Sequence, residues 1–300
     1  MIHTFDEELK SLFGRKVWKL TLDAGRTCPN RDGTCGTGGC AFCAGGGRFA
    51  AAGDEPDEQL ARARAVLGPK ADGAGFLAYF QSGTNTYAPV DELRRSFWGV
   101  LARPEILGLC IGTRPDCLPD GVLALLEELA RVKPVWVELG LQTASDEAAA
   151  AFGRGYATEV FDRAMEALAG TGVRRVVHVI AGLPDEPEDG ALQTAAHAAR
   201  FRPEGIKFHV LNVLRGTPME ERFRRGEVPV MSRERYVALV CDCIRRLPPE
   251  TAIHRLTGDG DKRLLIVPAW AADKKRVLNA FAAALADVRQ GEAWKGESAG

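Results

Sequence analysis

Residues 17–43 read VWKLTLDAGRTCPNRDGTCGTGGCAFC, an apolar run that breaks into a loop holding four cysteines within sixteen residues. VWKLTL has the composition of a buried strand, so the loop leaves a strand's C-terminal end. Cys40 and Cys43 have two residues between them, a spacing that lets two thiolates reach one metal centre from a single tight turn. Cys28 stands further upstream, with eleven residues between it and Cys40. The intervening RDGTCGTGG contains four glycines, which permit positive φ and close backbone approach, so the segment can wrap a compact inorganic object.

Outward from this loop the chain alternates. Residues 55–67 have helical composition with Pro56 in the first turn. GFLAYFQ at 75–81 is apolar and opens into SGTNTY. Helix-like 90–102 precedes the strand-like 106–112, which ends in TRPD; helix-like 120–131 precedes 134–141, which ends in Gln142 and Thr143. Helix-like 144–152 and 158–169 lead to VRRVVHVIA at 173–181 and then GLPDEP, and helix-like 189–201 leads to 205–214 and RGTP. Six strand–helix units result between about residue 17 and residue 225. Short strands apolar on both faces indicate a parallel sheet covered by helices, and six such repeats suit an α/β fold, an open (β/α)6 TIM-type barrel. Function in such barrels gathers at the C-terminal ends of the strands. Those ends carry all of the glycine-rich and polar segments just named. Residues 1–228 are therefore expected to form the core with a short N-terminal segment. Residues 229–300, with helical 232–247 and 273–289 and apolar 253–257 and 264–267, are expected to form an extension packed on the open side.

Composition limits the partners. Three hundred residues with 46% hydrophobic and 26% charged content bury a full core. A net charge of −1 means that a nucleic acid would be held by a local basic patch, not by the field of the whole molecule. The acidic N-terminus lacks the apolar centre of a signal peptide and no apolar run reaches membrane-spanning length, so a cytoplasmic location without membrane association is expected. In a reducing compartment eight cysteines read better as metal ligands or redox groups than as four disulfides.

Three thiolates hold three corners of a [4Fe–4S] cube and leave the fourth iron open to an exogenous ligand. Cys28, Cys40 and Cys43 are the candidates. The alternative is a non-catalytic zinc site that adds Cys35 as a fourth ligand, although a zinc ribbon normally supplies two close pairs and this loop has one. Cys110, Cys117, Cys241 and Cys243 read as small buried hydrophobes.

The loop CPNRDGTCGTGGCAFC resembles the cluster loop of radical S-adenosylmethionine (radical SAM) enzymes, in which a C-x-aromatic-C pair, here with Phe42, follows a more distant cysteine. The usual gap of three residues is widened here to eleven, as in a bacterial branch akin to the catalytic subunit of Elongator and the oxygen-independent coproporphyrinogen oxidases. The resemblance implies a [4Fe–4S] cluster and S-adenosylmethionine as cofactors, an electron donor of flavodoxin or ferredoxin type, and hydrogen abstraction by a 5′-deoxyadenosyl radical. By position it assigns Ser82, Gly83 and Thr84 to the methionyl amine, and Thr113 and Arg114 to the ribose or the substrate. ELGLQT and the downstream GRGY place Gln142 and Arg154 as cofactor contacts. GLP places Gly182 beside the adenine, whereas the aspartate expected upstream is replaced near His178, which also reads as a core histidine. Arg154 reads alternatively as a solvated helix-end cation, and SGTNT as an ordinary turn.

Lys207 and His209 alternate with apolar residues and share one strand face. If that face is the lumen, they either pair with a carboxylate such as Glu138 or meet an anionic or carbonyl-bearing substrate, which makes them the catalytic candidates. His254 and Arg255 precede Lys262, Arg263, Lys274, Lys275 and Arg276, a basic set that forms a solvated face or holds RNA phosphates. The resemblance to Elongator suggests a tRNA wobble-uridine side chain as substrate; the resemblance to the porphyrinogen oxidases suggests a small, tetrapyrrole-like molecule.

Overall fold

The computed structural model describes residues 2–45, 55–258 and 260–294. The chain begins with a helix, α1 (Phe5–Phe13), where only a short segment was expected. Its signal is a capping box: the Thr4 side chain accepts from the Glu7 amide while Glu7 reaches back to the Thr4 N–H. The alternation then follows as β1 (Val17–Leu22), α2 (Pro56–Leu67), β2 (Gly75–Phe80), α3 (Val90–Leu101), β3 (Ile106–Thr113), α4 (Asp120–Ala130) and β4 (Val135–Gln142). It continues with α5 (Asp146–Ala151), α6 (Thr158–Ala169), β5 (Arg174–Ala181), α7 (Gly190–Ala199) and β6 (Gly205–Val210). The remainder holds β7 (Val213–Leu214), α8 (Pro218–Arg224), α9 (Arg233–Arg245), β8 (Ala252–Arg255), β9 (Leu265–Val267) and α10 (Lys274–Ala284).

The main sheet runs β1-β2-β3-β4-β5-β6-β8 with every pair parallel, and it curls into the expected open half-barrel. Two details differ from the sequence reading. The sheet has a seventh strand, since residues 252–255 of the expected extension pair with β6. Four residues are too few to display a period, so their apolar character alone did not reveal the pairing. The run 205–214 also divides. β6 stops at Val210, and β7 turns away to pair antiparallel with β9.

Burial on both strand faces has two different causes. The outer face packs under the helices, with Leu93, Phe97, Leu126, Phe161 and Met165 covering strand residues such as Phe80, Ile111, Val137 and Val179. The inner face fills the lumen at the N-terminal end of the strands, where α1 supplies Phe5 and Leu9 to Val17, Leu77, Tyr79, Cys110, Trp136 and Val176. Phe5 meets Trp136 edge-on at 5.6 Å and stacks on His254 at 3.7 Å, so α1 touches strands from the middle and from the far edge of the sheet. Backbone pairing of His3 with Ile253 ties the helix to β8. With one mouth plugged, the lumen opens only toward the strand C-termini. Phe5→Ala should cost about 3 kcal/mol of stability through the cavity it leaves, read from urea unfolding; an unchanged midpoint would show that α1 is not a plug.

Candidate active site

The cysteine loop is fastened to the strand ends from both sides. Ala41 donates its N–H to the Phe152 carbonyl at 2.8 Å and accepts from the Met219 N–H at 2.9 Å. Phe42 packs on Phe152 with ring centroids 5.2 Å apart. Within the loop, Arg31 and Asp32 close a turn on the Cys28 carbonyl, Gly39 donates to the Asn30 carbonyl, and Cys43 donates to the Cys40 carbonyl. Gly39 has φ +87°, and a Cβ there would lie 2.8 Å from Arg31 Nε, so glycine is required at that crossing. Cys28, Cys40 and Cys43 line a single cavity of about 450 Å³ over the strand ends. Cys35 instead lines a separate hollow with Pro29, Tyr87 and Pro115. All four thiols are free, and burial together with the neighbouring Cys43 pushes the Cys40 thiol up to about 11. Asn30 Nδ2 lies 3.5 Å from Cys40 Sγ, and Arg114 Nη1 lies 3.9 Å from Cys28 Sγ.

The other strand ends meet this loop. Gly83 has φ +72°, and a Cβ there would stand 2.1 Å from the Arg26 carbonyl oxygen, so SGTNT presses its backbone against the loop only because residue 83 is glycine. Thr84 donates its N–H to the Thr27 carbonyl at 3.0 Å. Gly83 and Thr84 line the cavity, and Ser82 is not among its lining residues. At the end of β3, the Thr113 hydroxyl donates to Thr86 at 2.5 Å, since the Thr86 hydroxyl, in the loop after β2, itself donates to the Cys117 carbonyl at 2.6 Å. Arg114 forms a two-pronged pair with Asp116 (2.9 and 2.6 Å) and reaches the Arg154 carbonyl at 3.0 Å.

Gln142 ends β4 at φ +61°, beside a bulge in the pairing with β5, and its amide NH2 donates to the carbonyls of Gly140 (3.0 Å) and Leu141 (2.9 Å). Arg154 occupies a place that its motif did not foretell. It is 1% exposed, and its five N–H donors go to Tyr156 O, Leu141 O, Thr143 O, Asp146 Oδ1 and Thr158 Oγ1 at 2.6–3.0 Å. The fork is therefore fully engaged by protein, not offered to a methionyl carboxylate. It is not a solvated cation either. Gly182, with φ +84°, follows β5 and packs near Met231, outside the residues that line the cavity.

A buried polar network forms the cavity floor. Glu138, with a side chain 0% exposed, accepts from Tyr79 Oη at 2.6 Å and Lys19 Nζ at 3.1 Å, pairs with Lys207 Nζ, and lies 3.1 Å from His178 Nε2. Burial alone would raise its pKa, but the two ammonium groups outweigh that and hold it well below the ordinary carboxylate range. Burial holds the His178 imidazole down at about 4 and His209 well below the ordinary histidine range. Lys207 thus takes the carboxylate-paired role and does not line the cavity, whereas His209 and His178 do. Arg255 was read from the sequence only within a basic set that forms a solvated face or holds RNA phosphates, and Tyr79, Tyr156, Asn30 and Asn212 were not singled out for the site. Tyr156 stood inside the GRGY already noted, and Asn30 follows Cys28 by two residues; the others carried no local signal.

Three free thiols on one cavity, with the fourth turned to another hollow, suit a cluster that keeps one iron open and do not build a four-thiol zinc site. The fold is that of the open (β/α) barrel class, with a thiol-lined cavity at its strand C-termini. The chain belongs to the radical SAM superfamily: that family's profile matches residues 24–198, and the profile described as the Radical_SAM C-terminal domain matches residues 203–287. Its cofactors are accordingly a [4Fe–4S] cluster and S-adenosylmethionine. The chain is 41% identical to the uncharacterised protein YtqA of Bacillus subtilis (strain 168), over 93% of this chain and 88% of that one. It is 29% identical to the tRNA uridine(34) acetyltransferase of Dehalococcoides mccartyi (strain CBDB1) over 53% of this chain, but spans only 34% of that protein. Among solved structures, the Elp3 protein of the archaeon Methanocaldococcus infernus superposes with a TM-score of 0.65 at 16% identity, covering 92% of this chain and 64% of that one, a likeness of fold. Among the described residues no helix is long and apolar enough to cross a membrane.

The floor gives a pH signature. Histidine in an unfolded chain protonates near pH 6.5, while folded His178 does so near 4 and His209 and His254 lie well below 6.5. Below pH 6.5 the unfolded chain takes up protons that the folded chain refuses, so stability is complete above that pH and declines as pH falls toward 4. Glu138, held low, adds to the loss at still lower pH. The urea midpoint should fall between about pH 7.5 and pH 5; a constant midpoint would rule out neutral buried histidines.

Proposed function

We propose that Cys28, Cys40 and Cys43 hold the cluster and that the enzyme modifies a side chain of the wobble uridine of tRNA. The observation that carries the ligand assignment is the convergence of those three thiols, without Cys35, on one cavity at the strand C-termini. When bound, the cluster and S-adenosylmethionine would supply one-electron reductive cleavage of the sulfonium and, through it, hydrogen-atom abstraction from substrate. A flavodoxin- or ferredoxin-type donor supplies the electron.

The chain's own residues position and shield. Arg114 sits against Cys28 and is kept there by Asp116, so a charge-assisted donor faces that thiolate. Asn30 does the same for Cys40. Gly83 and Thr84 present backbone, and Gln142 an amide, to the cavity for the cofactor's amine, carboxylate and hydroxyls. We assign Arg154 a positioning role, since it fixes the β4 end and the carbonyl that Arg114 grips. Phe42 and Phe152 cover the cluster side from water. In the same reading residues 1–228 are the catalytic core, and 229–300 an extension that completes the sheet with β8.

The tRNA substrate is supported by the relative that bears a tRNA uridine(34) activity in its name, over about half of this chain. Anaerobic iron and sulfide analysis should return a brown [4Fe–4S] protein; a colourless protein holding one zinc ion would overturn the ligand assignment. Cys40→Ala should abolish 5′-deoxyadenosine formation and Cys35→Ala should leave it near wild type. Nucleoside mass spectrometry of tRNA from a strain lacking the gene should show a changed wobble uridine, and an unchanged profile would move the reading to a small-molecule substrate.

A further inference from the structure

The arginines of the cavity wall differ in one respect. Arg114 is held by Asp116 and Arg154 by Asp146 and three carbonyls. Arg255, on β8, also lines the cavity, but it forms no hydrogen bond or ion pair among the described residues. Glu138 is the one carboxylate among the described lining residues, and Lys19, Lys207, Tyr79 and His178 already share it. A guanidinium left without a counter-charge in a protein cavity is a vacancy for an oxyanion.

Two more unpartnered groups stand in the same cavity. His209 Nε2 and Asn212 Oδ1 are buried without a hydrogen-bond partner, an arrangement that costs free energy unless a ligand completes it. A Cβ on Gly258 would lie 2.8 Å from His209 Nδ1, so the Nδ1 edge of the ring is packed against that backbone and the Nε2 edge is the one available. His209, Asn212, Gln142 and His178 also line an adjoining lobe of about 270 Å³ walled by Phe42, Ile180, Leu211 and Leu214. Gly83, Arg114 and Arg255 line the main cavity only, and Arg255 meets the lobe through His209 and Asn212, which line both.

We propose that Arg255 and His209 form an oxyanion-binding site where the main cavity meets the lobe, so that the substrate carries a phosphate or carboxylate and places an apolar or flat portion against Phe42 and Ile180. Neutral His209 donates through Nε2–H, the guanidinium binds two oxygens, and Asn212 Oδ1 accepts from a hydroxyl or N–H of the same molecule. This deepens the reading above by naming the chemistry of its substrate. The anion site itself is tested without turnover and without tRNA, so its failure is separable from a failure of the tRNA assignment.

The test uses the reconstituted holoprotein saturated with S-adenosylmethionine and the arginine reagent phenylglyoxal, with the modification of Arg255 followed by peptide mass spectrometry. Arg263, whose side chain is 87% exposed, is the internal reference. Inorganic phosphate and acetate, each titrated at constant ionic strength, should slow modification of Arg255 saturably and leave Arg263 unchanged. Protection by phosphate alone identifies a phosphate ester as the substrate group, by acetate alone a carboxylate, and by both a general oxyanion site. His209→Ala should raise the half-protecting concentration about tenfold, the loss expected for one hydrogen bond to a charged group, and His209→Gln, which keeps an N–H donor, should stay near wild type. No protection by either anion, the same protection in His209→Ala, or complete protection by S-adenosylmethionine alone would overturn the proposal.

Discussion

Glu138 is the constraint on which the rest of the half-barrel depends. An open barrel lacks the hydrogen bonds that would close its sheet, so its curvature has to be fixed from inside. The Glu138 carboxylate on β4 is bonded to Lys19 on β1, Tyr79 on β2, His178 on β5 and Lys207 on β6. Five of the seven strands therefore share one buried anion. Burying a carboxylate and two ammonium groups is costly, and it is tolerated when each oxygen has partners and the charges offset one another. The network also divides the lumen. Below it the space is filled by Phe5, Trp136 and their neighbours, and above it stands the cavity.

Above that floor, contacts pass from core to cysteine loop through backbone carbonyls. Arg154 links the end of β4 to the starts of α5 and α6, and its own carbonyl accepts Arg114, which lies against Cys28. On the other side Phe152, at the end of α5, holds Ala41 and Phe42, and Met219 of α8 holds Ala41 from beyond. The loop is thus clamped by elements that come from both halves of the sheet. A glycine-rich segment that would otherwise be mobile acquires a defined path, as three ligands to one cluster require.

What the sequence made legible was periodic or local. Both-face burial in strands such as GFLAYF and VWVELGLQ announced a parallel sheet, and β2 is indeed buried at every position. The cysteine spacing separated one close pair and one distant thiol from Cys35. The Thr4–Glu7 capping box marks the start of α1 in the sequence, although the acidity of the segment masks its helical character. Other features depend on distant residues and have no local mark. The four residues of β8 take their meaning from β6, and the role of Arg154 follows from carbonyls up to thirteen positions away. Lys207 and His209 lie on one strand face, yet depth separates them: the first reaches Glu138 and the second faces the cavity. Alternation gives the side of a sheet but not the height within a barrel.

The engaged and unengaged arginines carry different parts of the chemistry. Arg114 and Arg154 have every strong contact within the protein, so they contribute fixed dipoles and charge whose geometry does not reorganise when a ligand enters. Such preorganised groups suit the side of the cavity where a reactive species must be held in one orientation. Arg255 lacks that restraint, and it shares its end of the cavity with two orphaned polar atoms, His209 Nε2 and Asn212 Oδ1. Incomplete satisfaction inside a protein is unfavourable until a ligand repairs it, and only a ligand with an oxyanion and a neighbouring donor repairs all three groups together. Selectivity in this half-barrel then resides in what the protein leaves unpaired, whereas the rigid, fully paired residues supply the frame that makes the reaction possible.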